Sequence, residues 1–157
     1  MLRYFAYGAN IDPERMRSRI PEAVVVGPGH VERFGVEFTI RDREWGGGVL
    51  NAREDPDSVL WGLLYEGPEE AFAVLDTFQG DAALMEKAEV TVVTADGEVP
   101  AITYRVIPIA NYVRPSDRYL THVSRAMTAQ GLPPEAIEAV LAADRDAGQG
   151  AGPSIVS

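Results

Sequence analysis

The sequence contains no cysteine. Disulfides, cysteine-bound zinc and thiol nucleophiles are excluded with it, and a reducing compartment fits. Basic residues are scarce too: 14 Lys and Arg against 24 Asp and Glu give a net charge of −10. They are scattered singly, without the basic stripe of a nucleic-acid binder. DNA, RNA and anionic membranes are therefore not expected as partners, and the acidity mainly implies solubility. No apolar run approaches the ~20 residues that a membrane helix needs. The opening MLRYFAYGAN lacks the long apolar stretch of a secretory signal. A cytoplasmic protein is the expectation. The two histidines, His30 and His122, lack metal-ligand spacing. No Gly-x-Ser-x-Gly elbow and no phosphate-binding P-loop is present.

What is present is an ordinary globular mixture, 46% apolar and 24% charged over 157 residues. That length suits one domain with one core. The domain is read over residues 1–145, with a flexible Gly-rich tail at 146–157. Leu2 to Ala6 reads as a short strand. Asp12 and Pro13 begin a short helix that stops before Pro21. Ala23 to Gly27 is an apolar run ended by Gly27-Pro28-Gly29. VERFGVEFTI, Val31 to Ile40, alternates as a strand. A further strand starts at Val49, and Asp55-Pro56-Asp57 reads as a turn before the buried strand VLWGLLY, Val59 to Tyr65. Pro68 opens a helix with Phe72 and Leu75 on its apolar face. EKAEVTVVT, the Asp96-Gly97 turn and Val99 to Ile107 form a hairpin. Pro115-Ser116-Asp117 caps a helix that Gly131 ends, and Pro133-Pro134-Glu135 opens a last helix reaching about Arg145. Six or seven strands with interleaved helices predict an α+β or mixed α/β fold around a strongly curved sheet or small β-barrel.

Three stretches invite a functional reading. In YFAYGAN, Tyr4 to Asn10, a strand stops at a glycine shortly before a helix. Such turns present backbone N–H groups to a carboxylate or oxyanion, though many bind nothing. Trp45-Gly46-Gly47-Gly48 lets a backbone approach closely, and read alone it is a turn. LDTFQG, Leu75 to Gly80, read alone is a helix end with Gly80 as its cap.

Together these stretches resemble the γ-glutamylcyclotransferase-like, or AIG2-like, family over about Leu2 to Leu141. Tyr4-Phe5-Ala6-Tyr7-Gly8-Ala9-Asn10 resembles its Y-F-A-Y-G-S-N opening, and Trp45 with its glycines resembles its central Gly-Gly. Val59 to Tyr65 is similar to its V-x-G-x-x-Y strand, and Leu75 to Gly80 to its L-D-x-x-E-G motif. Pro115-Ser116-x-x-Tyr119 and Gly131-Leu132-Pro133 complete the series. The resemblance implies a small mixed α/β domain with a barrel-like core and flanking helices. It implies a lyase that uses no cofactor. The α-amine of a γ-glutamyl group attacks its own γ-carbonyl, giving 5-oxoproline and a free amine. By the same resemblance, Tyr4, Phe5, Ala6, Tyr7, Gly8, Ala9, Asn10 and Tyr119 bind the small-molecule γ-glutamyl substrate, and the Glu of L-D-x-x-E-G moves the proton.

That Glu position holds Gln79 here. An amide keeps the shape and cannot take up a proton at neutral pH. The family's Ser is Ala9, and Met85 stands about where a tyrosine is common. Three readings stay open: a deliberate substitution that traps substrate, divergence with a replacement base, or lost catalysis leaving a γ-glutamyl-binding protein. Glu86 and Asp81 are the nearest acids, with Glu86 the better candidate by position. A different acyl transfer on the same scaffold is a further reading. The leaving amine is not legible, and a monomer or a homodimer is equally compatible.

Overall fold

The computed structural model describes residues 1–78, 85–107 and 111–156. Five strands among them close into a barrel in the order β1-β3-β2-β4-β5. β1 (Leu2–Ala6) lies antiparallel on the far end of β3 (Gly47–Gly67), with Leu2 opposite Gly67 and Ala6 opposite Leu63. β2 (Val24–Asp42) and β3 form one long hairpin, and β4 (Met85–Thr94) and β5 (Gly97–Val106) form a shorter one. Two narrow seams complete the ring: Tyr4 pairs in parallel with Ile102, and His30 pairs with Val93.

The strand count corrects the expected six or seven, because two turn signals lie inside continuous strands. At Gly27-Pro28-Gly29 the register shifts by a bulge, and β2 runs on. At Asp55-Pro56-Asp57 the pairing passes from Glu32–Val59 to Phe34–Glu54, so residues 55–58 loop out of β3. The Asp57 N–H and the Ser58 hydroxyl both donate to the Asp55 carboxylate, at 3.0 and 2.6 Å. The aspartate thus satisfies the extruded donors locally, and the ladder resumes on either side.

Helices flank the barrel. Asp12 caps α1 (Pro13–Arg19) by accepting from the Glu14 N–H, and Ser116 caps α3 (Asp117–Ala129) by accepting from the Tyr119 N–H. Ile11, Met16 and Val123 are fully buried in the core. The expected helix after Pro68 is instead a 3₁₀ stretch, Glu69–Val74, followed by the single turn α2 (Leu75–Phe78). α4 (Pro134–Val156) continues past Arg145, where the sequence placed its end; no proline interrupts it before Pro153.

Backbone hydrogen bonds tie the tip of the long hairpin to the segment before α3. The Gly48 N–H donates to the Arg114 carbonyl at 2.8 Å, and the Val113 N–H donates to the Phe38 carbonyl at 2.8 Å. A Cβ on Gly48 would stand 1.9 Å from the Val113 carbonyl oxygen. Glycine is required there by contact, and the Trp-Gly-Gly-Gly stretch is a docking surface as well as a turn. Gly48→Ala is expected to cost about 1–3 kcal/mol or more by overpacking, a fall in Tm of about 2–12 °C. A thermal melt reads this, and an unchanged Tm would contradict the contact.

Candidate active site

The end of β1, the tip of the β2–β3 hairpin, α1 and α3 meet at a cleft of about 100 Å³. This is smaller than the ~300–1,000 Å³ of drug-sized sites and suits a group of amino-acid size. Tyr7, Gly8, Ala9 and Asn10 form one wall. Val49, Leu50 and Trp45 form another, and Tyr4, Tyr104 and Tyr119 line the interior. Arg15, Arg19 and Asp42 add charge of both signs.

The Tyr7–Asn10 turn is fixed from outside. Tyr65 donates to the Asn10 carbonyl at 2.6 Å, and His122 Nε2 lies 3.2 Å from the Ala9 carbonyl oxygen. Tyr7 is a strut: its hydroxyl donates to the Tyr104 carbonyl at 2.6 Å and accepts from the Ala52 N–H at 3.2 Å. Gly8 packs against Tyr119, and a Cβ there would sit 3.0 Å from its phenol oxygen. The turn therefore keeps its shape without a ligand.

Two phenols have a proton to offer. Tyr119 accepts from the Leu50 N–H at 3.1 Å, and Tyr4 accepts from Asn10 Nδ2 at 3.3 Å. Neither hydroxyl has a protein acceptor among the described residues, and both line the cleft. Burial raises both pKa values above the usual tyrosine range, as it does for Tyr7. A burial-raised pKa keeps the neutral donor form across physiological pH. Tyr104 is different. It donates to Asp76 Oδ1 at 2.8 Å, and its pKa is raised by burial and then by that carboxylate. The Asp of the L-D-x-x motif thus orients a cleft tyrosine.

Outside the cleft, Glu44 gathers the cations. Arg15 and Arg19 both pair with it, and the Arg15 hydrogen bond holds the Glu44 carboxyl below its usual range. The guanidinium groups of Arg15 and Arg118 lie 5.1 and 4.8 Å from the Trp45 ring centre, a cation–π arrangement that steadies the hairpin tip. Among the described residues no group of three or more His, Cys, Asp or Glu is placed to hold a metal, and no helix is long and apolar enough to cross a membrane.

The sequence candidates divide. Tyr4, Tyr7, Gly8, Ala9, Asn10 and Tyr119 come together at the cleft. Phe5 and Ala6 are wholly buried in the core and do not line it; the Phe5 carbonyl accepts from the Thr103 hydroxyl. Glu86 lies opposite Arg105 on the β4–β5 hairpin, 3.3 Å from its Nε, and does not line the cleft either. Gln79 and Asp81 fall outside the described residues. Sequence reasoning missed Asp42, Arg15, Arg19 and Tyr104. Asp42 had one usable signal, its place three residues before Trp45; the others come from elements that only barrel closure brings together.

The buried phenols carry a pH signature. Their folded pKa values lie above the unfolded value of ~10, so the folded state binds more protons at higher pH. Their contribution is complete below pH ~10 and is lost as pH rises above it. In an alkaline titration, phenolate absorbance from these tyrosines should appear only together with loss of the circular-dichroism signal. Ionisation of every tyrosine near pH 10 in a folded protein would contradict their burial.

Comparison with known proteins bears on the family and the fold. The AIG2-like family profile matches residues 59–140. A γ-glutamylcyclotransferase of Bos taurus is 31% identical over 139 residues, covering 84% of this chain and 73% of that protein. The Homo sapiens γ-glutamylcyclotransferase is 28% identical over the same coverage. A solved structure named γ-glutamyl cyclotransferase superposes with a TM-score of 0.81 at 26% identity, covering 87% of this chain and 84% of that one. The barrel with its flanking helices is the fold of these neighbours, and the chain belongs to the AIG2-like, γ-glutamylcyclotransferase-like family.

Proposed function

We propose that this protein is a γ-glutamylcyclotransferase-type lyase that releases 5-oxoproline and a free amine from a γ-glutamyl amine or peptide. The observation that carries this reading is the cleft, where the Tyr4-to-Asn10 turn meets Tyr119. The relatives' names support the general activity. The ligand that suits this cleft is small, carries both charges and accepts hydrogen bonds. An α-amino acid end has a carboxylate for the neutral phenols and the Arg15 side, and an ammonium for a carboxylate. The γ-carbonyl oxygen gains negative charge as the amine attacks, and backbone N–H groups of the turn would stabilise it. The rate follows from holding amine and carbonyl in contact, since ring closure is intramolecular. A binding protein using the same cleft is the alternative, favoured by Gln79 at the family's Glu position.

Purified protein incubated with γ-glutamyl amines and γ-glutamyl dipeptides should yield 5-oxoproline, read by chromatography. Tyr4→Phe should lower kcat/KM about 10–100-fold, the effect of one hydrogen bond to a charged group. If neither the natural chain nor Gln79→Glu forms 5-oxoproline from any of these substrates, the reaction class is wrong. If ligands then bind unchanged, the binding reading replaces it.

A further inference from the structure

Among the described residues that line the cleft, Asp42 alone carries a carboxylate. It ends β2, at the base of the hairpin tip that carries Trp45. Its Oδ1 accepts from the Trp45 N–H at 3.2 Å, which fixes the side chain locally. Its Oδ2 has no bonded partner, and Asp42 forms no ion pair among the described residues. Its field reaches Tyr119 on one side and Arg19 on the other. Among the described residues the competing acids are otherwise engaged. Glu86 faces Arg105, Asp76 holds the Tyr104 hydroxyl, and Glu44 is taken by Arg15 and Arg19. Glu37 is buried but accepts from Thr39 and Asn51, and it does not line the cleft.

We propose that Asp42 is a catalytic residue, binding the substrate's α-ammonium and carrying the proton that an amide at position 79 cannot carry. This rests on the cyclotransferase reading above. A charged ammonium entering a half-buried cleft loses hydration, and an unpaired carboxylate there offsets the loss. Asp42 Oδ2 takes one ammonium proton, and the freed lone pair attacks the γ-carbonyl carbon. The new carbon–nitrogen bond closes the lactam, and the bond to the leaving amine breaks. Asp42 returns its proton to that leaving nitrogen. The second proton shed by the α-nitrogen follows the same route, so the lactam keeps one N–H and the amine departs as its ammonium. No other reactant is needed. The arrangement also sets specificity: an α-amino group that is acylated has no charge to offer Asp42 and is not a substrate.

The test compares the natural chain, Asp42→Asn and Gln79→Glu with a γ-glutamyl dipeptide, reading 5-oxoproline. Asparagine still accepts from the Trp45 N–H, so the fold should hold; Tm and Trp fluorescence check this, and Asp42→Ser serves if it does not. The expected result is an active natural chain with kcat about 10²–10⁴-fold lower in Asp42→Asn. KM for the dipeptide should rise, while inhibition by 5-oxoproline, which has no ammonium, should change less than about threefold. Equal kcat in the natural chain and Asp42→Asn overturns the role of Asp42 and leaves the reaction intact. So does an inactive natural chain beside an active Gln79→Glu. Inactivity of both overturns the cyclotransferase reading itself, and this role with it.

Discussion

The approach of the Val113–Ser116 backbone to Gly47 and Gly48 is the contact on which the site depends. A Cβ on Gly47 would meet the Arg114 carbonyl at 2.6 Å, and one on Gly48 would meet Val113 at 1.9 Å. Hydrogen bonds hold the segment there from both sides, and the Ser116 hydroxyl adds one to the Trp45 carbonyl at 2.6 Å. Because Ser116 also caps α3, the same contact sets where that helix begins. Tyr119 lies one turn on, and its phenol meets the Leu50 N–H and Gly8. One steric constraint therefore fixes the hairpin tip, a helix and a cleft donor relative to the β1 turn.

The cleft is polar by neutral groups where it is deepest and charged toward the helix and hairpin side. Tyr4 and Tyr119 are 5% and 2% exposed, so ionising them would place an anion without water. They remain donors that a ligand's acceptor atoms can reach. Charge is supplied by Arg15, Arg19 and Asp42. The cations are restrained by Glu44, whereas among the described residues Asp42 is held through the Trp45 N–H alone. That asymmetry gives the cleft a preferred end for an ammonium.

Much of this was legible in the residues. The alternation of Val36, Phe38 and Ile40, the caps at Asp12 and Ser116, and the Asp96-Gly97 turn located elements correctly. The family motifs located the Tyr7–Asn10 turn and Tyr119. The misreadings share a cause. Gly-Pro-Gly and Asp-Pro-Asp signal a local change of direction, and a bulge in a long, strongly bent hairpin uses the same residues as a chain reversal. Only the pairing partner tells the two apart. Asp42 and Arg15 were missed for a related reason, since they meet only where helix α1 lies beside the end of β2, elements distant in sequence. Phe5 and Ala6 belonged to a recognised motif, yet their side chains serve the core.

The central claim is that the cleft between Tyr4, Tyr119 and Asp42 receives the amino-acid end of a γ-glutamyl compound. The most direct measurement is a crystal structure with a γ-glutamyl analogue whose γ-carbonyl is replaced by a non-reacting methylene. The account predicts its carboxylate within hydrogen-bond reach of the Tyr4 or Tyr119 hydroxyl and its ammonium within reach of Asp42 Oδ2. A ligand lodged instead in the shallow hollow along α3 lined by His122 and Arg125, with the cleft empty, would contradict it.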